Sequence, residues 1–101
     1  MKYIITNEVH PDNPKLRRIK RISDGEIGGY IESEHNLSQD GDCWVSGDAK
    51  VYGNARVYRN AWACGNAIVS GNASVYDSAR VYGDSIVSSN AKVSGNEGEL
   101  K

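Results

Sequence analysis

The sequence predicts an all-β fold, a parallel β-solenoid carrying a small N-terminal β cap, and three observations predict it. First, from Gln39 onward the chain falls into ten six-residue units: QDGDCW, VSGDAK, VYGNAR, VYRNAW, ACGNAI, VSGNAS, VYDSAR, VYGDSI, VSSNAK and VSGNEG. Self-similarity at a fixed short period is the mark of a solenoid, whose units bury their inner faces by stacking on copies of themselves. Second, position one is Val in eight units and Ala in one, and position five is Ala in seven, so the interior is narrow and uniform. Third, position three is Gly in seven units and is followed by Asn, Asp or Ser. Such pairs adopt the left-handed and turn conformations that most residues avoid.

Each unit therefore reads as a short strand over positions five, six, one and two, followed by a tight corner. Side chains alternate along a strand, so positions five and one point inward and positions six and two outward. On these residues the units resemble the hexapeptide repeat of the left-handed parallel β-helix family. The resemblance covers residues 39–98 and implies a left-handed coil of three units, hence about three and a third coils. The preceding stretch GEIGGYIESEHNLSQDGDCWV resembles the entry region of small hexapeptide-repeat proteins of phages and prophages.

Taking the elements in order, KYIIT near the N-terminus reads as a strand, His10-Pro-Asp-Asn-Pro14 as a turn, and Lys15–Ile22 as a second strand that could close a hairpin. Leu16, Ile19 and Ile22 are its expected core contributions. The same strand holds Lys15, Arg17, Arg18, Lys20 and Arg21, a candidate nucleic-acid or phosphate patch, or else a solvated face paired with Glu8, Glu26 or Glu32. Tyr30-Ile31 is expected to cover the open end of the first coil. Asn36-Leu37 is expected at positions four and five of a degenerate unit that begins near residue 33. The division is thus a cap over 1–36 and a repeat region over 37–101 within one compact domain.

A length of 101 residues supports one domain. Twelve basic and thirteen acidic side chains give a net charge of −1, which implies no general attraction to nucleic acid or anionic lipid. No apolar run is long enough to span a membrane and no signal peptide is visible, so a cytoplasmic location, in a bacterial host if the chain is phage-encoded, is the expectation. Cys43 falls at an inward position and Cys64 at an outward one. They are expected to be free thiols, with no metal site and no cofactor.

The family resemblance also defines what is missing for catalysis. Hexapeptide-repeat acyltransferases place a histidine at a coil surface, often with an excursion loop and a C-terminal helix, whereas His10 and His35 lie outside the repeat here. The carbonic anhydrase of this architecture needs three histidine ligands. A threonine-ladder ice-binding face is excluded by a single threonine, Thr6. No catalytic residue is therefore assigned, and a degenerate acyltransferase or a structural phage component stand as alternatives to a binding or scaffold protein.

Stacking residues 18 apart predicts the outward ladders, with rungs about 4.8 Å apart. Trp44, Trp62 and Arg80 share one face with Ser46, Cys64 and Tyr82. Lys50, Ile68 and Ile86 share a second with Tyr52, Ser70 and Ser88. Arg56, Ser74 and Lys92 share a third with Asp40, Tyr58, Tyr76 and Ser94. The tryptophans with Arg80, and after them Tyr82, Tyr58 and Tyr76, are the expected contacts for another protein, because aromatic and arginine anchors dominate binding energy. Ile68, Ile86 and Leu100 are the expected oligomer contacts, for a dimer or for the trimer that the acyltransferase resemblance implies. One expected use of such a chain is inhibition of a host defence system, as an anti-CRISPR protein would achieve.

Overall fold

In the computed structural model, which describes residues 1–94, the hairpin of β1 (Tyr3–His10) and β2 (Asn13–Arg21) leads into β3 (Ile27–Ile31) and a 3₁₀ turn (Glu34–Asn36). Nine two-residue strands follow: β4 (Trp44–Val45), β5 (Lys50–Val51), β6 (Arg56–Val57), β7 (Trp62–Ala63), β8 (Ile68–Val69), β9 (Ser74–Val75), β10 (Arg80–Val81), β11 (Ile86–Val87) and β12 (Lys92–Val93). They form three parallel faces. Face one is β4, β7 and β10; face two is β3, β5, β8 and β11, extended by the hairpin; face three is β6, β9 and β12. The result is a parallel β-helix of about four turns.

The inward positions behave as their residue types require. Val45, Val51, Val57, Val69, Val75 and Val81 are completely buried, as are Ala49, Ala55, Ala61, Ala67, Ala73 and Ala79. Polar backbone groups in this thin core are paired from coil to coil: Trp62 N–H donates to Ala79 C=O at 3.0 Å, and Tyr76 N–H to Val93 C=O at 3.0 Å. Corners stack as closely as the strands. Gly65 has φ +66°, and a Cβ built on it would lie 2.9 Å from the Gly83 nitrogen, so both conformation and space call for glycine there. At three corners the third position is instead Arg59, Asp77 or Ser89, yet φ remains at 62°, 57° and 57°.

The first coil departs from the expected register. Twenty residues separate Ile31 from Val51 and Leu37 from Val57, against eighteen between Val45 and Ala63. Leu37 therefore stacks at position one, not five, and Ser38 rather than Asp40 precedes Tyr58. Gln39 does not occupy an inward position either: its Oε1 accepts from Lys2 N–H and Tyr3 N–H at 2.8 and 3.1 Å, closing part of the β1 edge. The surplus is held by Asn36, fully buried, whose Oδ1 accepts from Glu32 N–H and Ser33 N–H while Nδ2 donates to Ala55 C=O at 2.8 Å. Tyr30-Ile31 is likewise part of the solenoid. Because β3 pairs in parallel with β5, the coil starts inside the stretch assigned to the cap, and it exceeds three and a third turns.

The hairpin does the capping. Its strands pair antiparallel, with a register shift between Ile5 and Val9, and Tyr3, Leu16 and Ile19 are buried. Tyr3 Oη donates to Leu37 C=O at 2.5 Å and Lys2 Nζ donates to Cys43 C=O at 2.7 Å, tying the hairpin to the coil below. Ile22, expected in the core, is exposed: its N–H still donates to Lys2 C=O at 2.9 Å, and the alternation of the strand puts its side chain on the outer side with Lys20.

Candidate functional site

Face one confirms the ladder and corrects its accessibility. Trp44, Trp62 and Arg80 are register partners in β4, β7 and β10. Trp44, however, is only 1% exposed and is not a contact residue. The hairpin folds over it: Tyr3 meets the indole edge-on at 6.3 Å, Arg21 lies 4.9 Å above its ring, and a Cβ on Gly28 would come within 2.8 Å of it. Trp62 is half-buried, and Arg80 and Tyr82 remain exposed. Cys64 sits half-buried between Ser46 and Tyr82, Cys43 is buried, and both thiols are free.

Face three brings together two tyrosines and two arginines. The Tyr58 and Tyr76 rings stack at 5.2 Å with 9° between planes. Arg56 lies 5.5 Å and Arg59 6.0 Å from the Tyr58 centroid. One rung along, Arg59 Nη1 donates to Asp77 Oδ1 at 2.8 Å across the corner. That corner leads directly from Tyr58 and Tyr76 to Trp62 and Arg80, so faces one and three meet in a single aromatic and cationic ridge. Beside Arg56 and Tyr58 the 3₁₀ turn leaves a shallow cleft of about 290 Å³, also lined by Glu34, His35 and Ser38.

The basic strand is largely committed to holding the cap. Arg18 donates to Glu8 and Asp48 carboxylates and to the Gly28 and Gly47 carbonyls, and it covers the Tyr30 ring at 4.4 Å. Burial opposes its charge, but the hydrogen bond to Asp48 and the contacts with Tyr30 and Glu8 outweigh this and raise its pKa. Arg21 pairs with Asp24 and Glu26; the Asp24 hydrogen bond raises the arginine's pKa while the carboxylate is held below its ordinary value. Lys15, Arg17 and Lys20 are exposed. Two of the partners expected for the basic strand are found, Glu8 on Arg18 and Glu26 on Arg21, while Glu32 accepts from Gly53 N–H instead; the contacts of Arg18 with Asp48, Gly28 and Gly47 carried no signal in the sequence.

Face two carries the aliphatic ladder as expected: Lys50, Ile68 and Ile86 are in register, and Ile86 is 60% exposed. Leu100 lies outside the described residues. Two features escaped sequence reasoning altogether, the His35 cleft and an apolar patch of Ile4, Ile22 and Ile27 around Lys20 on the hairpin. Among the described residues there is no His, Cys, Asp or Glu cluster able to hold a metal, and no helix long and apolar enough to cross a membrane.

A family model described as the YdcK beta solenoid repeat matches residues 49–65, a stretch that spans β5 to β7. No curated protein matches the chain significantly.

Proposed function

We propose that this hexapeptide-repeat β-solenoid is a non-enzymatic binding scaffold whose contact surface is the ridge of Tyr58, Tyr76, Arg59, Trp62 and Arg80. The observation that carries this reading is the Tyr58–Tyr76 stack with Arg56 and Arg59 packed around it. A rigid β-surface loses little entropy on docking, so a few aromatic and arginine anchors supply most of the affinity. Two of the three non-glycine residues with positive φ, Arg59 and Asp77, lie on this ridge, the third being Ser89 at another corner, and such outliers are enriched at functional sites.

The partner is another protein or protein complex. The entry segment's resemblance to phage and prophage proteins supports a role against a host defence protein in the bacterial cytoplasm, of the anti-CRISPR kind. Self-association as a dimer or trimer through Ile68 and Ile86 completes the proposal, and light scattering that finds only monomer at high concentration would remove that part.

Capture from a bacterial lysate on immobilised protein, read by mass spectrometry, tests the ridge. A specific partner held by wild type and by Ser88→Ala, and lost by Tyr76→Ala and Trp62→Ala, is the expected result. Retention by both aromatic variants would overturn it. The cleft beside His35 favours a second reading, an acyltransferase remnant with His35 as base. Turnover of acetyl-CoA, abolished in His35→Ala, would establish that reading instead.

A further inference from the structure

The charges of the solenoid are sorted by position. From Asp42 to Ser94 the outward strand positions carry Lys50, Arg56, Arg80 and Lys92 and no carboxylate at all, whereas the corner positions carry Asp42, Asp48, Asp77 and Asp84 with Arg59 as the lone cation. The three corner columns differ. Between faces one and two stand Asp48, paired with Arg18, and Asp84; between faces three and one stand Asp42, Arg59 and Asp77, the last two paired with each other. Between faces two and three runs an uncharged asparagine ladder, in which Asn54 Nδ2 donates to Asn72 Oδ1 at 3.2 Å and Asn72 Nδ2 to Asn90 Oδ1 at 3.3 Å.

Among the solenoid strands β4–β12, face three is the one face with two outward cations, bordered on one side by the uncharged asparagine ladder and on the other by Asp42 and the Arg59–Asp77 pair. Arg56 and Lys92 are both exposed, stand two rungs or about 10 Å apart with Ser74 between them, and have no carboxylate partner among the described residues. At the upper rim of this face stands Glu34, which accepts from Gln39 Nε2 at 3.3 Å, and Asp42 lies in the adjoining corner column.

We infer that face three docks an acidic segment of a partner protein, its carboxylates meeting Arg56 and Lys92 while Tyr58 and Tyr76 pack against its stem. This rests on the reading of the solenoid as a binding scaffold and adds the chemistry of the partner. A protein fits better than a nucleic acid for two reasons. The face offers two cations in a chain of net charge −1, too few to gain from neutralising a run of phosphates. Its Tyr, Ser, Asn and Arg composition is that of surfaces which recognise proteins through rigid aromatic anchors and adaptable polar contacts.

Backbone amide NMR of the full chain tests this with poly-L-glutamate as probe and oligothymidylate as its competitor. Poly-L-glutamate is expected to shift the amides of Arg56, Ser74, Tyr76 and Lys92 at low salt, with the shifts fading as salt screens them. The Arg56→Glu/Lys92→Glu double variant should raise the dissociation constant about tenfold or more, two exposed charge pairs being reversed. Both side chains are exposed, so an unchanged melting curve verifies the fold. Shifts centred on Arg17 and Lys20, or none, would overturn the inference, as would oligothymidylate moving the face-three amides at lower concentration than poly-L-glutamate. Partner capture that survives the double variant but fails in Tyr76→Ala rejects the acidic partner alone; capture that survives Tyr76→Ala rejects the binding ridge itself.

Discussion

Arg59 and Asp77 occupy the same corner of successive coils, both with positive φ, and their side chains close a 2.8 Å ion pair over that strained backbone. The left-handed conformation costs a Cβ-bearing residue roughly 1–2 kcal/mol, and an exposed pair returns about 1 kcal/mol at most. Asp77→Gly and Asp77→Ala both delete the pair, but only glycine relieves the backbone. Urea unfolding should find the glycine variant more stable than the alanine variant by about 1 kcal/mol. Equal midpoints would mean that the corner stores no strain.

The two tryptophans should separate stability from binding. Trp44 is enclosed by Tyr3, Arg21 and Gly28, so Trp44→Ala should cost about 3–5 kcal/mol of folding stability through the cavity it leaves. Trp62, half-buried on the ridge, should cost less in stability while its alanine variant weakens partner binding by roughly 2 kcal/mol. Paired melting and binding curves check both, and a larger stability loss at Trp62 than at Trp44 would contradict the burial pattern.

Val75 lies between Val57 and Val93 in a core column with no access to water. Val75→Asp places a carboxylate there without a hydrogen-bond partner, at a cost of about several kcal/mol. Circular dichroism should show an unfolded chain at neutral pH; an intact melting transition would argue against the inward assignment.

Tyr3 predicts loss of stability in alkali. Burial, reinforced by Glu34 and Cys43, pushes its phenol pKa well above the ordinary value near 10. The unfolded chain therefore releases this proton at lower pH than the folded one. The phenol's contribution is complete below pH about 10 and is lost as pH rises from there toward the folded pKa. Comparing wild type with Tyr3→Phe from neutral pH upward should show a steeper decline in wild type. Parallel curves would assign any alkaline unfolding to other groups.

How much was legible beforehand follows from where the information lies. The six-residue period determined the parallel solenoid, the inward valines and alanines, the corner glycines and each ladder from Trp44 onward, because every one of these depends on contacts between residues 18 apart that the repeat itself encodes. Tertiary structure alone decided which ladder positions are open. Trp44 and Trp62 hold equivalent places in the repeat, yet the hairpin closes over one and leaves the other on the surface. Likewise, Glu8 and Glu26 could be named as partners of the basic strand, but that Arg18 and Arg21 rather than Arg17 take them, and that Asp48 also reaches Arg18, is decided only in the folded chain. The physical reason is range: a stacking period is a local rule repeated, whereas the cap binds through long-range contacts between unlike segments that no periodicity records.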